Sequence, residues 1–296
     1  MTTTNPWKYV ELDKGELKGN PYLNPAKKEN GKKPEEAVPT GTPTITNAAN
    51  FLVLENIVCV GADKKIFERH DRLYVAKDVE RNGTAHIDFT PYAAASHFEQ
   101  KGLFSPSLAL TCNIVAALYK NRSNADIKKV LDQYKDHGAG HGWHAQNTVI
   151  DWEKKRIIHY PHDKDFPEAG GDDNINSAGK GRTRTTFSFV ADDFEDKLLE
   201  EALQEKEFSK YICNLTGLKD PSILVEIGNY FGKPAYVWPS SSNETRAAWF
   251  GCSSINLYLV GYYSLNYYSA GRGVRRGAPV VRVASKNRVF QSKKKS

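Results

Sequence analysis

The sequence predicts an α+β protein built on antiparallel sheet, and the order of its elements is the main reason. β-branched and aromatic runs bounded by turn residues come first, two helical patterns follow, and further strand patterns close the chain. Strands and helices that occur in separate groups are typical of α+β folds, whereas alternating strand–helix units indicate a parallel α/β sheet. The chain also contains no internal repeat.

The first half of the chain predicts three strands and a buried helix. Residues 51–60, 72–79 and 84–92 form the strand patterns, each ending at turn residues. Ser105-Pro106 then has the form of a capping serine followed by a proline in the first helical turn. The helix continues through LALTCNIVAALYK, which is apolar nearly all round and therefore predicts burial.

A second helix is predicted after Ser123-Asn124, where apolar residues recur at i, i+3, i+4 and i+7. These residues are Ile127, Val130, Leu131 and Tyr134. Further along, we predict a hairpin over 148–152 and 156–160, a loop over 167–182, a strand over 185–190, a charged helix over 192–210, a short helix over 221–230 and a strand over 235–238.

Composition divides the chain into an extension and one domain. Residues 1–45 are rich in Lys, Pro, Asn, Gly and Thr and predict a polar, partly ordered N-terminal extension, and residues 46–296 a single domain. The net charge is +6, with lysines concentrated near both ends. Nucleic-acid binding needs a basic face on the folded body, so we do not expect a nucleic-acid partner.

The sequence predicts a protein that is soluble as made. No apolar run has the length of a membrane helix, and no signal-peptide pattern is recognised at the N-terminus, so we expect no membrane insertion. A role at a surface or in a particle stays open. Cys59, Cys112, Cys213 and Cys252 are widely spaced, and their spacing indicates neither a zinc knuckle nor a redox pair.

The most informative stretch is 249–274, WFGCSSINLYLVGYYSLNYYSAGRGV. It holds five of the 15 tyrosines together with serines, asparagines and glycines, and residues 250–271 contain no charged residue. Antibody loops use the same residues, because tyrosine supplies rigid contact area and the small polar residues supply adaptable hydrogen bonds. A buried strand pair is the alternative, but adjacent tyrosines point to opposite faces of a strand. The stretch therefore predicts a binding surface.

Candidate catalytic and metal-binding patterns are weak. His137, His141 and His144 share a segment with three glycines, which argues against the continuous helix that such ligand spacing needs. His159 and His162 follow, so a metal site in 137–162 stays an alternative. Asp172 and Asp173 lack the spacing of a calcium loop. With no nucleophile, base and orienting group in one pattern, we predict no enzyme, metal or cofactor.

The segment 249–275 resembles the C-terminal variable region of diversity-generating retroelement variable proteins, most closely the archaeal ones. The resemblance rests on Trp249-Phe250-Gly251, the Tyr/Ser/Asn run and the ending Gly271-Arg272-Gly273-Val274-Arg275. It implies a C-type lectin-like fold, with two helices packed on mixed or antiparallel sheet and long irregular loops. It also implies a hypervariable surface site for a macromolecular ligand, in particular a protein, diversified by a reverse transcriptase that errs at adenines.

The residue types in the window agree with that mechanism. Asparagine codons changed only at their adenines never encode Lys, Glu, Gln, Met or Trp, and none of these occurs in residues 250–271. Carried over from the resemblance, the ligand-facing residues are Ser253, Ser254, Asn256, Tyr258, Tyr262, Tyr263, Asn266, Tyr267 and Tyr268. Ile255, Leu257, Leu259 and Leu265 are then scaffold, with a diversified position left open as the alternative for each, and Arg272 and Arg275 anchor the site from below.

The alternative function is an enzyme, either on the related formylglycine-generating scaffold or as a histidine-dependent metalloenzyme. The first needs a redox cysteine pair, which the spacing does not indicate. The calcium-binding motifs of sugar-binding lectins are absent from the sequence, so calcium-dependent sugar binding is not expected.

Overall fold

The structure is a computed structural model, and it describes residues 43–80, 89–136, 142–144, 146–161, 184–190, 194–239, 245–261 and 271–276. The strands are β1 Ile45–Asn47, β2 Phe51–Val60, β3 Ile66–Ala76, β4 Thr148–Asp151, β5 Arg156–His159, β6 Thr185–Ser188, β7 Lys197–Leu198, β8 Ala235–Trp238, β9 Thr245–Ala247, β10 Trp249–Cys252, β11 Leu257–Val260 and β12 Val274–Arg276. The helices are α1 Pro91–Gln100, α2 Leu108–Lys120, α3 Ala125–Lys135, α4 Leu199–Ala202, α5 Lys206–Thr216 and α6 Ile223–Phe231.

The described strands form three four-stranded sheets, in the orders β1-β2-β3-β12, β10-β11-β8-β7 and β6-β5-β4-β9. The pair β11/β8 is parallel, and the other pairs in these sheets are antiparallel. The predicted α+β class with mixed and antiparallel sheet is therefore confirmed. A C-type lectin-like fold is more specific than this class and stays a prediction.

Helix α2 lies at the centre of the core, as its apolar sequence predicts. Eleven of its 13 residues are buried, and it packs against α3, α5, α6, β2 and β10. The predicted cap at Ser105 was wrong by two residues. Ser107 caps the helix, because its hydroxyl accepts the backbone N–H of Leu110 at 3.1 Å.

Helix α3 and the β4–β5 hairpin confirm their predictions. The side chain of Asn124 accepts from the backbone N–H groups of Asp126 and Ile127, and the predicted apolar stripe of α3 is buried. Strands β4 and β5 pair over four residues, and each ends one residue before the predicted boundary. Helix α6 and strand β8 also lie where the sequence predicts them.

The predicted strand over 84–92 is wrong at its C-terminal end, where helix α1 begins. Thr90 caps this helix by accepting from the backbone N–H of Ala93, and Pro91 occupies its first turn. The signal was available in the sequence, because a threonine before a proline is a usual helix start. Residues 84–88 lie outside the described residues, as does the predicted loop over 167–182.

The predicted helix over 192–210 is replaced by a short strand and two helices. Residues 197 and 198 form β7 because their backbone pairs with β8, and this tertiary pairing overrides the local helical preference. Helix α5 then extends beyond the prediction to Thr216, where Gly217 adopts a left-handed conformation with φ of 59°. Glycine has no steric penalty there and ends the helix.

Strand β3 begins six residues before its predicted start. The prediction missed the first half of the strand because two side chains there are polar although they are largely removed from water. Glu68 and His70 face inwards and form a 2.7 Å contact between Oε1 and Nε2. The Ser107 hydroxyl donates to the other carboxylate oxygen of Glu68. Because strand patterns are recognised by their apolar residues, these buried polar side chains conceal the strand.

His159 joins the β4–β5 hairpin to helices α2 and α5. Its Nε2 donates to the backbone carbonyl of Asn214 at 2.9 Å, so Nδ1 accepts from the Thr148 hydroxyl at 2.9 Å. The same hydroxyl oxygen accepts the backbone N–H of Leu108 at the start of α2. Burial lowers the pKa of His159 to about 4, and therefore the imidazole is neutral in the folded protein at pH 7.

Acid should destabilise the protein through His159. An unfolded histidine titrates near pH 6.5, so between about pH 6.5 and 4 the unfolded chain binds the extra proton and stability falls. The expected loss between pH 7 and 4.5 is about 2–3 kcal/mol from this residue. Urea unfolding at the two pH values measures it.

His159→Gln should weaken the pH dependence, because glutamine can both donate to the Asn214 carbonyl and accept from Thr148 without titrating. His97→Gln is the matched control, since His97 also makes a side-chain hydrogen bond, with Glu80, but is partly exposed and not buried. Equal pH dependence in the wild type and His159→Gln would contradict the assignment.

Candidate functional site

The centre of the candidate site is the hairpin formed by β10 and β11. Trp249 pairs with Val260 and Cys252 with Leu257, which leaves residues 253–256 as the turn. The hydroxyl oxygen of Ser253 accepts the backbone N–H groups of Ile255 at 3.2 Å and Asn256 at 3.1 Å. One serine side chain therefore holds the conformation of the turn.

Exposure on the hairpin is confined to the turn and to Tyr258, since the other residues of β10 and β11 are buried. Leu257 and Leu259 are buried, which confirms their predicted scaffold role, whereas Tyr258 between them is partly exposed. Ile255 is 66% exposed, which favours the alternative of a diversified position over a scaffold role, and Leu265 lies outside the described residues. Ile255 lies at the tip of the turn, where the two-residue alternation of a strand no longer applies.

Four of the nine predicted ligand-facing residues lie together on this hairpin. Ser254 is exposed, and Ser253, Asn256 and Tyr258 are partly exposed. Asn256 donates its amide N–H to the Tyr258 hydroxyl at 2.8 Å, so these two side chains share one side of the hairpin. The other five predicted residues, Tyr262, Tyr263, Asn266, Tyr267 and Tyr268, lie outside the described residues.

Tyr258 belongs to a group of four aromatic side chains, here called the aromatic face: Trp143, Tyr236, Trp238 and Tyr258. The ring of Tyr258 lies 5.8 Å from that of Trp143, with an interplanar angle of 11°. Its centroid is 5.6 Å from Trp238 and 6.3 Å from Tyr236. The three residues besides Tyr258 were not predicted as site residues.

Two glycines determine the position of Trp143. Gly251 leaves space for its ring, and Gly142 allows the preceding backbone to approach the end of α3. The backbone of 142–144 runs beside β10, with Gly142 N–H bonded to the Cys252 carbonyl and His144 N–H to that of Phe250. A Cβ on Gly251 would lie 1.9 Å from the Trp143 ring, so only glycine fits beneath it. A Cβ on Gly142 would lie 2.0 Å from the carbonyl oxygen of Tyr134 at the end of α3.

The two faces of the β10-β11-β8-β7 sheet have different partners. Phe250, Cys252, Leu257 and Leu259 belong to the main core, which includes α2, α3 and α6. The aromatic face lies on the other side, where Trp143, Trp238 and Tyr258 pack with a smaller cluster of Phe89, Ala94, Phe98, Ala247, Trp249 and Val260. The hairpin is therefore part of a sheet that is packed on both faces, and this packing fixes its position.

The end of the predicted window is anchored by Arg272. Its guanidinium is buried, donates to the backbone carbonyls of Ala76 and Lys77 and to Gln133, and lies 4.9 Å from the Tyr134 ring. Gly273 allows Phe98 to approach, since a Cβ there would lie 2.7 Å from its ring. This agrees with the anchoring role predicted for Arg272.

Arg275 makes a second anchoring contact. Its guanidinium lies over the rings of Phe51 and Tyr74, at 5.4 and 4.9 Å from their centroids. Because the two rings belong to β2 and β3, these cation–π contacts hold β12 against the other strands of its own sheet.

None of the four cysteines has the environment of a reactive thiol. All four are free. Burial raises the pKa of Cys59, Cys112, Cys213 and Cys252, and for Cys252 the nearby Lys233 ammonium offsets only part of this. A nucleophilic cysteine needs a lowered pKa, so these environments do not favour thiol chemistry.

The histidines that the structure describes serve as packing and hydrogen-bonding residues. The His144 ring lies 4.5 Å from that of Tyr134, and His159 joins the hairpin to the helices as described above. No group of three or more His, Cys, Asp or Glu side chains able to hold a metal occurs in the described part of the chain. His137, His141, His162, Asp172 and Asp173 lie outside it.

Comparisons of the chain with protein-family models, with curated proteins and with solved structures found no match. Across the residues that the structure describes, no helix combines the length and the apolar character needed to cross a membrane.

The hairpin should tolerate substitution at its exposed positions and not at its buried ones. Ser254→Tyr and Ile255→Thr should change the free energy of unfolding by about 0.5 kcal/mol or less, because neither side chain packs in the core. Leu259→Ser is the control on the same hairpin and should cost about 3 kcal/mol or more. Urea unfolding provides the measurement. A large loss in Ile255→Thr, or none in Leu259→Ser, would show that the inner and outer sides are misassigned.

Proposed function

We propose that the chain is a ligand-binding protein with a C-type lectin-like fold, and that the outer side of the β10–β11 hairpin recognises a macromolecular ligand, in particular a protein. The exposure of the turn and of Tyr258, on a hairpin whose other strand residues are buried, is the observation that carries the proposal. The buried Leu257 and Leu259 hold the strand, while Ser254, Ile255 and Tyr258 are at least partly exposed.

The chemistry of these exposed residues suits protein recognition. Tyrosine gives a large contact area for two side-chain torsions, and serine and asparagine adapt their hydrogen bonds to different partners. An exposed isoleucine beside them supplies apolar area, which is costly to leave in water and favourable to bury at an interface. Because the hairpin is part of a packed sheet, its backbone is already ordered, and the loss of conformational entropy on binding is small.

We further propose that the hairpin belongs to a region diversified by a retroelement. Support comes from the residue types in 250–271, which are all accessible from asparagine codons by changes at adenines. Ser254 and Ile255, the two exposed residues of the hairpin, also lie outside the core, so a substitution there disturbs little packing. Sister copies of the protein would then differ in this region and bind different ligands.

The genome should contain the template for this diversification. A near-copy of the segment encoding 249–275, differing from it only where it carries adenines, is expected beside a reverse-transcriptase gene. Sequencing of the surrounding locus provides the measurement. Absence of such a copy from the genome would remove the diversification, while the binding proposal would still have its own test.

A display library tests the binding proposal directly. Ser254, Ile255, Asn256 and Tyr258 are randomised, Ser253 is retained because it holds the turn, and phage displaying the variants are selected on immobilised lysozyme, ubiquitin and streptavidin. Micromolar binders to these proteins are expected, because the randomised side chains lie on a rigid frame.

The matched control is the turn between β2 and β3, with Ala62, Asp63, Lys64 and Lys65 randomised instead. It is also a tight hairpin turn, closed by backbone hydrogen bonds between Gly61 and residues 64 and 65, but it belongs to a different sheet. Binders that arise as often from the control library as from the β10–β11 library would contradict the proposed site.

A further inference from the structure

We propose that Lys233 is a positioning residue of the binding site, although it lies outside 249–275. Its ammonium group holds the turn 253–256 through the backbone, so that the turn keeps one conformation whichever side chains it carries at its exposed positions. This inference rests on the proposed function and deepens it, because it assigns the residue that fixes how the exposed side chains are presented to a ligand.

The connection between α6 and β8 contacts both ends of the turn. The Lys233 ammonium donates to the backbone carbonyl of Ser253, the first residue of the turn. The backbone carbonyl of Pro234 accepts the N–H of Leu257, the first residue after the turn, at 3.0 Å. Leu257 then pairs with Ala235 in the parallel pair β11/β8. Two consecutive residues of one connection therefore fix where the turn begins and where it ends.

The sequence of this connection fixes the backbone of Lys233. Helix α6 ends at Phe231, and its backbone turns away at Gly232, which has a φ of 72°. The Lys233 N–H donates to the Gly228 carbonyl at 2.8 Å. A Cβ on Gly228 would lie 2.6 Å from the Lys233 carbonyl oxygen, so glycine is needed where the connection passes the helix. Pro234 further restricts Lys233 to extended conformations. The lysine backbone is thus ordered independently of its side-chain contact.

The environment of Cys252 agrees with this position of the ammonium group. Cys252 is the last residue of β10, and its side chain belongs to the main core. Burial raises the pKa of its thiol, and the Lys233 ammonium lowers that pKa in part through its charge and a hydrogen bond. The ammonium therefore lies on the core side of the hairpin. Tyr258 and the proposed ligand lie on the other side, so the lysine acts on the turn and not on the ligand.

The acceptor of the lysine contact is present in every variant of the turn. A backbone carbonyl belongs to all residue types, whereas the two bonds of the Ser253 hydroxyl need a particular side chain. A charged donor also makes a stronger hydrogen bond than a neutral one. Substitutions at the exposed positions of the turn therefore leave the Lys233 contact in place. A turn that is ordered before binding loses less conformational entropy when a ligand binds.

Amide hydrogen exchange in the free protein tests the positioning role. Lys233→Met keeps an unbranched side chain of similar length and removes the ammonium. The backbone N–H groups that close the turn are those of Ser253, Ile255 and Asn256. Their exchange, followed by NMR, should become faster by about tenfold or more, and exchange in β2 and β3 should stay unchanged. Lys233→Arg keeps a charged donor and should restore most of the protection.

Binders from the β10–β11 library provide the second measurement, because Lys233 is not among the randomised residues. Lys233→Met is introduced into each binder, and affinities for lysozyme, ubiquitin and streptavidin are measured by surface plasmon resonance. Each binder should be weakened by about tenfold or more, whichever target it recognises, and Lys233→Arg should restore most of the affinity.

Lys197→Met is the matched control. Lys197 is also partly exposed and also donates a side-chain hydrogen bond, to Glu205, but it lies on β7, which is separated from β11 by β8 in the same sheet. This substitution should change neither the exchange of the turn nor the affinities. Circular dichroism verifies that each variant is folded. Lys233→Gln, which keeps only a shorter neutral donor, serves if Lys233→Met is not folded and should also speed exchange in the turn.

The outcomes separate the two proposals. Unchanged exchange of the turn in Lys233→Met would overturn the positioning role and leave the binding function standing. Weaker binding with unchanged exchange would show that Lys233 contacts the ligand directly, and equally faster exchange in β2 and β3 would show a general loss of stability; either result would also overturn it. Failure of the library to yield any binder would overturn the proposed function, while exchange in the free protein would still decide the role of Lys233.

Discussion

The burial of helix α2 is the constraint on which the described fold depends. It contacts two strands and three helices, and nearly all of its side chains are removed from water. Apolar burial on every side leaves this helix no stable position except the centre of the core. The β10–β11 hairpin packs one side against the resulting core, and that contact determines which of its side chains are buried.

In the proposed site, one sheet would serve packing and recognition together. A strand presents alternate side chains to opposite faces, so commitment of Leu257 and Leu259 to the core directs Tyr258 outwards. The outer face is not left bare, since Trp249 and Val260 are covered by the cluster around Phe98. This cover buries Trp143 and leaves Tyr236, Trp238 and Tyr258 partly exposed.

The elements that were predicted correctly are those whose signals lie within a few neighbouring residues of the sequence. The helix start after Asn124, the apolar run of α2 and the apolar stripe of α3 all act within a few residues and were interpreted correctly. Trp143 was missed because its place in the site comes from a strand-like pairing with β10 and from the missing side chain of Gly251, a contact between residues more than a hundred positions apart. Periodicity carries no information about such a contact.

The turn at Ser253 limits the repertoire that the hairpin can present. Its hydroxyl oxygen accepts two backbone N–H groups, and only serine, threonine, aspartate and asparagine place a side-chain oxygen where it can do so. Most of the residues that an altered asparagine codon can encode would lose both hydrogen bonds. If the region is diversified as proposed, selection would therefore hold this position nearly constant. Variants that lose the turn would be removed because they fold less stably, whatever ligand they could bind.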